Sequence, residues 1–209
     1  MATIRAVLGE LFPDGVPMRA TDRGLWLATP VAVLATAFDA ITSRGRLGAG
    51  RPSRLLDAGA GDGRVLGVFG SRWADRPGLE LLGIEDDASL FACAQRNLQA
   101  LRAAGRLTGP LAVARGDYLA APVYTELGVA PTDIDLVVNY PDGNENALEH
   151  WLASQAGERT RLLLLGPDRS LSFAVLDLDW AVTLEPPGQT AWRLIVSRPI
   201  GARQLRAGD

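Results

Sequence analysis

The stretch Leu55-Leu56-Asp57-Ala58-Gly59-Ala60-Gly61-Asp62-Gly63-Arg64-Val65-Leu66 constrains this chain more than any other: an apolar run breaks into three glycines at alternate positions and resumes at helical spacing. It reads as a strand, a tight loop and a helix start. Glycine reaches φ > 0 at little steric cost and has no Cβ, so such a loop lets backbone N–H groups approach a ligand more closely than side chains would allow. The loop also opens onto a helix N-terminus, which favours negative or hydrogen-bond-accepting ligand groups. A nucleotide-like ligand fits these properties.

Spacing narrows the choice of nucleotide. The dinucleotide fingerprint G-x-G-x-x-G, counted from Gly59 and Gly61, would need its third glycine where Arg64 stands, which disfavours NAD. A phosphate-binding P-loop ends in Gly-Lys-Ser/Thr, and the chain contains no lysine. What remains, Asp57-x-Gly59-x-Gly61-x-Gly63, resembles motif I of the class I S-adenosylmethionine (SAM) methyltransferases. The resemblance implies SAM as cofactor, with the Asp57 carboxylate meeting the ligand's ammonium group and Gly59, Gly61 and Gly63 making room for its amino-acid end.

Along the chain, Ala6-Val7-Leu8 and Leu11-Phe12 predict a short helix, and Pro13, Gly15 and Pro17 predict a loop after it. Thr29 is placed as N-cap and Pro30 as first residue of a helix running to about Thr42. Residues 43–53 read as a Gly/Arg/Pro linker. Strands are expected at 54–58, 80–85, 111–117, 134–139 and 161–165, with helices at 63–72, 88–103 and 144–155 between them. The segment 120–132 is interrupted by prolines and has room for a short helix at most. Alternation of this kind predicts a mostly parallel sheet. Ala181–Leu184 and Ala191–Val196, joined across Pro186-Pro187-Gly188-Gln189, read as an antiparallel hairpin. The expected fold is α/β, a three-layer Rossmann-like sandwich whose mostly parallel seven-stranded sheet is closed by that hairpin, as in the family. Residues 1–50 form an N-terminal helical segment and linker, residues 51–200 the SAM-binding part of a single globular domain, and the tail after Arg198 is expected to fray.

Ligands of open α/β sheets sit outside the carboxyl ends of the strands, so the residues that finish the strands are the site candidates. Glu85 ends the second strand, where an acid accepts hydrogen bonds from ribose hydroxyls. Asp86 adjoins that position, and Asp86 and Asp87 also read as the cap of the next helix. The resemblance implies that Asp117 contacts the adenine amino group, with Tyr118 beside the ring. Asn139-Tyr140-Pro141-Asp142 ends the fourth strand, where class I enzymes place the residues that face the methyl acceptor; it is similar to the Asn-Pro-Pro-Tyr of amino-group methyltransferases, in another order and with one proline. Asn139 and Tyr140 are accordingly the candidates for catalysis, and Asn139 also for cofactor contact. His150, the only histidine, falls within a helix beyond the site and reads as solvent-facing. Trp26 and Trp192 read as packing or pocket-wall residues.

Thr29-Pro30, the glycine motif, Gly83-Ile84-Glu85 and Asn139-Tyr140-Pro141 followed by Asn146 and Leu148 also resemble a branch that includes protein-lysine methyltransferases acting on the ATP synthase c subunit. That branch implies lysine methylation; a small-molecule N- or O-methyltransferase is equally open. A protein that binds SAM or its product without turnover, and an RNA methyltransferase, are the alternatives.

Composition excludes several other classes. Charged residues are 22% and hydrophobic residues 47% of the 209, and no apolar run approaches the about 18 residues of a membrane span. No secretory signal is visible, so a soluble cytoplasmic protein is expected. The single cysteine, Cys93, has no disulfide partner and reads as a helix core residue, and no metal site is expected. With 24 acidic against 21 basic residues the net charge is −3. Arg44, Arg46, Arg51 and Arg54 lack interleaved aromatics, so a nucleic-acid acceptor is disfavoured.

Overall fold

The structure, a computed structural model, describes residues 3–21, 24–47, 52–74, 77–167, 170–186 and 188–201. Arg51, Pro187 and the tail after 201 lie outside the described residues. In chain order the elements are α1 (Ile4–Leu11), β1 (Arg19–Thr21), β2 (Gly24–Trp26), α2 (Val31–Ser43), β3 (Ser53–Ala58), α3 (Arg64–Trp73), β4 (Leu79–Glu85), α4 (Ala88–Ala103), β5 (Leu111–Arg115), α5 (Ala121–Glu126), β6 (Leu136–Asn139), α6 (Glu145–Gln155), β7 (Arg161–Gly166), β8 (Leu178–Leu184) and β9 (Trp192–Ser197).

Seven of these strands form one sheet in the order β5-β4-β3-β6-β7-β9-β8. The pairs from β5 to β7 are all parallel, while β9 runs antiparallel to both β7 and β8. This is the expected sheet with its closing hairpin. The period of two along each strand divides neighbouring apolar residues between two cores. Leu55, Leu81, Leu136 and Leu163 face a cluster shared with α1, α2, α3 and α4 through Leu8, Phe38, Phe69 and Leu98. Leu56, Leu82, Val137 and Leu162 face the opposite cluster, shared with α5 and α6 through Tyr124 and Leu152. A strand buried on both faces has no polar alternation to show, which is why these runs are continuously apolar.

The N-terminal segment departs from expectation. β1 and β2 pair as an antiparallel hairpin, Arg19 opposite Trp26 and Thr21 opposite Gly24. Strands of three residues are too short for a periodicity to show, so this region reads as loop in the sequence. Pro30 is the N-cap of α2, one residue later than expected, and Thr29 does not cap it. The Val31 N–H is instead taken by Asp14 Oδ1 at 3.3 Å, a residue 17 positions earlier. Asp87, not Asp86, caps α4, accepting from the N–H groups of Ser89 and Leu90. Cys93 lies on α4 half-buried rather than in the core. His150 is exposed, as expected. No helix of the described residues is long and apolar enough to cross a membrane.

Beside His150, Glu149 is fully buried on α6 and accepts from the backbone N–H groups of Ala174, Val175 and Leu176 at 3.0, 2.7 and 2.8 Å. This one carboxylate holds the chain segment that leads into β8. Hydrogen bonds to a charged acceptor are worth about 1.5–3 kcal/mol, so Glu149→Ala should lower unfolding free energy in urea by roughly 2 kcal/mol or more. A loss below about 0.5 kcal/mol, the range of an ordinary surface substitution, would show that the segment is held by something else.

Candidate active site

The order of the sheet reverses at β3, whose neighbours are β4 on one side and β6 on the other. A cleft opens at the carboxyl ends of these strands, where ligands of open α/β sheets bind. Its walls include Asp57, Gly59, Glu85, Asp86, Asp117, Tyr118, Asn139 and Tyr140, so the structure brings together eight of the residues expected from sequence.

The glycine loop takes the backbone geometry that its composition suggested, with φ of +87° at Gly59, +55° at Gly61 and +83° at Gly63. Its donors, however, turn inward. The N–H groups of Gly59 and Ala60 both donate to the Ile84 carbonyl at 3.0 and 2.9 Å, and that of Gly63 donates to the Ala60 carbonyl. The Gly61 N–H donates to Glu85 Oε2 at 2.6 Å. The expectation of backbone donors offered to a negative ligand group is therefore corrected: these four N–H groups are engaged in holding the loop in shape and against β4. Gly63 is placed as the N-cap of α3. A Cβ there would press on Ala94 and Leu98 of α4, which makes its bareness a packing requirement.

Among the described residues, the buried cleft atoms without a hydrogen-bond partner are acceptors. Asp57 is 3% exposed and its Oδ2 is buried with no hydrogen-bond partner. Burial first, and then the neighbouring Glu85 and Asp62 carboxylates, hold its carboxyl well above the ordinary range. Asn139, 1% exposed, donates from Nδ2 to the Ala58 carbonyl at 2.7 Å, and its Oδ1 is buried without a partner. A carbonyl oxygen can only accept, so this bond settles which end of the amide is Nδ2. Glu85 is raised above the usual carboxylate range by burial, against the N–H of Asp87 and that of Gly61, which favour its charged form. Ligand groups that fit such a wall are donors or cations: an ammonium, hydroxyls, an amine.

Tyr118 spans the cleft. A Cβ at Gly59 would lie 4.0 Å from its ring and 3.9 Å from Asn139 Nδ2. Its hydroxyl donates to Asp142 Oδ2 at 3.3 Å, joining the end of β5 to the loop after β6. Burial, helped by the Asp142 charge, raises the Tyr118 phenol and keeps it a donor. Tyr140 is half-buried, its ring 6.3 Å from that of Trp192. Asp117 accepts from the Leu119 N–H at 2.8 Å through Oδ1.

Two features of the cleft escaped the sequence, although Trp26 reads there as a packing or pocket-wall residue. The β1–β2 hairpin closes one side of the cleft through Thr21, Leu25 and Trp26. It is fastened by an Arg19–Asp87 ion pair at 3.0 Å and by Gly24, where a Cβ would run into the Asp142 carbonyl oxygen. Arg64, 3% exposed, pairs with Asp62 through Nε and an Nη at 2.9 and 2.7 Å, donates to the Thr29 carbonyl at 2.9 Å, and lies over the Trp26 ring at 5.7 Å. Asp142, in the Asn139–Asp142 stretch singled out in the sequence, lines the cleft as well. Hairpin contacts of this kind join residues far apart in the chain and leave no local pattern.

This strand order, with its one antiparallel strand, is a fold that the chain shares with solved methyltransferases. Solved structures with this fold include an rRNA methyltransferase, AviRa, from Streptomyces viridochromogenes (18% identity, 95% of each chain covered, TM-score 0.65). An RNA methyltransferase from Salinibacter ruber, solved with S-adenosyl-L-homocysteine, matches at 18% identity over 83% of this chain and 94% of its own, with a TM-score of 0.55. A protein from Agrobacterium tumefaciens described as a predicted O-methyltransferase matches at 19% identity over 81% and 80%, with a TM-score of 0.55. No family model matches the sequence, and no curated protein does. At these identities the likeness is one of fold.

The seating of Trp26 is testable. A Cβ at Gly61 would overlap the Trp26 indole, so Gly61→Ala should lift the hairpin and speed amide exchange across residues 19–21 and 24–26, by about tenfold for each 1.4 kcal/mol of lost anchoring. Amides of α4 should keep their protection. Unchanged exchange in the hairpin would show that Trp26 does not rest on the glycine loop.

Proposed function

We propose that the chain is a SAM-dependent methyltransferase whose acceptor, a nitrogen or oxygen nucleophile, meets the methyl group at the carboxyl end of β6. The observation that carries this reading is the pair of buried acceptor atoms without partners, Asp57 Oδ2 and Asn139 Oδ1, on the two strands that meet at the reversal of the sheet. A buried polar atom left unpaired is costly, and a ligand rich in donors removes that cost. When bound, SAM supplies a methyl group already activated on a sulfonium. The protein therefore has to position the groups and exclude water.

In this reading Asp57 meets the ligand's ammonium, and Glu85, fixed by the Gly61 and Asp87 N–H groups, accepts from the ribose hydroxyls with its remaining lone pairs. Asp86 flanks it on the cleft wall, and Asp117 at the β5 end serves the adenine amino group. Gly59 leaves the space between Asn139 and Tyr118 clear. Asn139 Oδ1 accepts a hydrogen bond from the acceptor group and turns its lone pair toward the methyl, while Tyr140, its phenol raised by burial, acts as a protonated wall residue. An RNA acceptor is the second reading, supported by the RNA methyltransferases among the similar structures.

Calorimetric titration with SAM and S-adenosyl-L-homocysteine tests the proposal; failure of both to bind overturns it. Asp57→Asn separates stability from binding. A buried carboxyl held above its ordinary range penalises the fold at neutral pH, and the penalty vanishes as pH falls and the group protonates. Asp57→Asn should therefore stabilise the ligand-free protein at neutral pH, with the gain shrinking toward acid, and should weaken SAM binding by roughly tenfold or more. A variant that binds SAM like the parent would remove Asp57 from the site.

Asn139→Ala should act on rate more than on binding. Only interactions stronger in the transition state raise turnover, so SAM affinity should stay within about threefold while methyl transfer slows. Parental turnover in this variant would place the acceptor elsewhere in the cleft.

A further inference from the structure

The charge of the cleft discriminates between acceptors. Among the described residues its ionisable walls are Asp57, Glu85, Asp86, Asp117, Asp142 and Arg64 (the tyrosines apart); the first four are those given above to SAM, the Arg64 guanidinium is already paired with Asp62 at 2.7 Å, and Asp142 remains for the acceptor. From Asn139 to Glu158, the stretch that begins on the cleft wall, the sequence holds Asp142, Glu145, Glu149 and Glu158 and no arginine or lysine. Its one histidine, His150, is exposed. The same end of the cleft carries Asn139 Oδ1, buried and without a partner. An anionic wall and an orphan acceptor together suit a ligand that is both a cation and a hydrogen-bond donor, and repel a polyanion.

We propose that the methyl acceptor is an alkylammonium nitrogen, anchored by the Asp142 carboxylate and hydrogen-bonded to Asn139 Oδ1. This rests on the methyltransferase reading above and narrows it. The Asp142 carboxylate is fixed by its neighbours, with Oδ1 accepting from the Asn144 N–H at 2.9 Å, Oδ2 from the Tyr118 hydroxyl at 3.3 Å and the Asn144 side chain as a further donor, and the hairpin backbone at Gly24 packs against its carbonyl. An ammonium nitrogen has no lone pair to offer, so it first gives one proton to Asp142. The N–C bond then forms as the sulfonium S–C bond breaks, the S–C electron pair stays on sulfur as a neutral thioether, and Asp142 releases the proton to solvent. Burial places the Asp142 carboxyl above the ordinary carboxylate range, which makes it a better proton acceptor than an exposed aspartate.

The full chain saturated with S-adenosyl-L-homocysteine, which has no methyl group to transfer, is titrated with n-butylammonium, Nα-acetyl-lysine amide, n-butanol as neutral analogue, and a short single-stranded RNA. Transfer to the same probes is then read with SAM. Ammonium probes should bind about tenfold or more tightly than butanol, the difference expected for a hydrogen bond to a charged group. Asp142→Asn keeps one acceptor oxygen for the Asn144 N–H, turns the contact with the Tyr118 hydroxyl into one that the hydroxyl accepts, and removes the charge, so it should abolish that preference while S-adenosyl-L-homocysteine affinity stays within about threefold. Tighter binding of the lysine amide than of butylammonium assigns the ammonium to a protein side chain, and the reverse assigns it to a free amine. Equal binding of butylammonium and butanol, a preference that survives in Asp142→Asn, or methylation of the RNA each overturns the proposal and leaves the methyltransferase reading standing. Failure of S-adenosyl-L-homocysteine to bind overturns both.

Discussion

One guanidinium ties the cleft together. Arg64 begins α3, yet its side chain turns back to the glycine loop at Asp62, reaches the Thr29 carbonyl ahead of α2, and lies between the rings of Phe12 and Trp26 at 5.9 and 5.7 Å. A buried ion pair offsets its desolvation only when the geometry is good and the remaining donors are used. Here the planar fork meets both oxygens of one carboxylate and a third donor meets a carbonyl, which an ammonium on a flexible stem would not reproduce. The N-terminal segment thus becomes a wall of the cleft. Without Arg64 the Asp62 charge would be buried alone, and the hairpin would keep its ties to Asp87 and Asp142 but lose its seat.

The polarity of the cleft follows from how the glycine loop is fastened. Because its N–H groups are taken by the Ile84 carbonyl and by Glu85, the loop offers a ligand room rather than donors. Phosphate-binding loops work the other way, leaving their N–H groups open to the anion. Glycine's conformational freedom is compatible with both arrangements; here the acid at the end of β4 reaches across to claim a loop N–H. A cleft built of carboxylates and one amide oxygen then favours ligands that bring protons and positive charge.

Much of the sheet was legible because its strands are buried on both faces and its helices on one. Continuous apolar runs at Leu55-Leu56 and Leu162–Leu165 and helical spacing across 88–103 survive as sequence patterns, since each residue's burial is set by its own neighbours in the element. The candidate site was legible for a related reason. Residues that end parallel strands beside a switch point are carried to the same edge of the sheet whatever the loops do, so Asp57, Glu85, Asp117 and Asn139 converge.

Other features depend on partners distant in the chain. The hairpin at 19–26, the capping of α2 by Asp14, the burial of Glu149 under the 174–176 amides and the Tyr118–Asp142 bond each join segments that only the packed sheet brings near. By itself the sequence determined the alternation of strands and helices, the glycine turn and the strand-end residues, because local periodicity and backbone permissiveness are properties of neighbouring residues. Only the tertiary structure decided which way the loop's donors turn, what closes the cleft and which atoms are left unpaired inside it, because hydrogen-bond satisfaction is settled between residues that the sequence holds far apart.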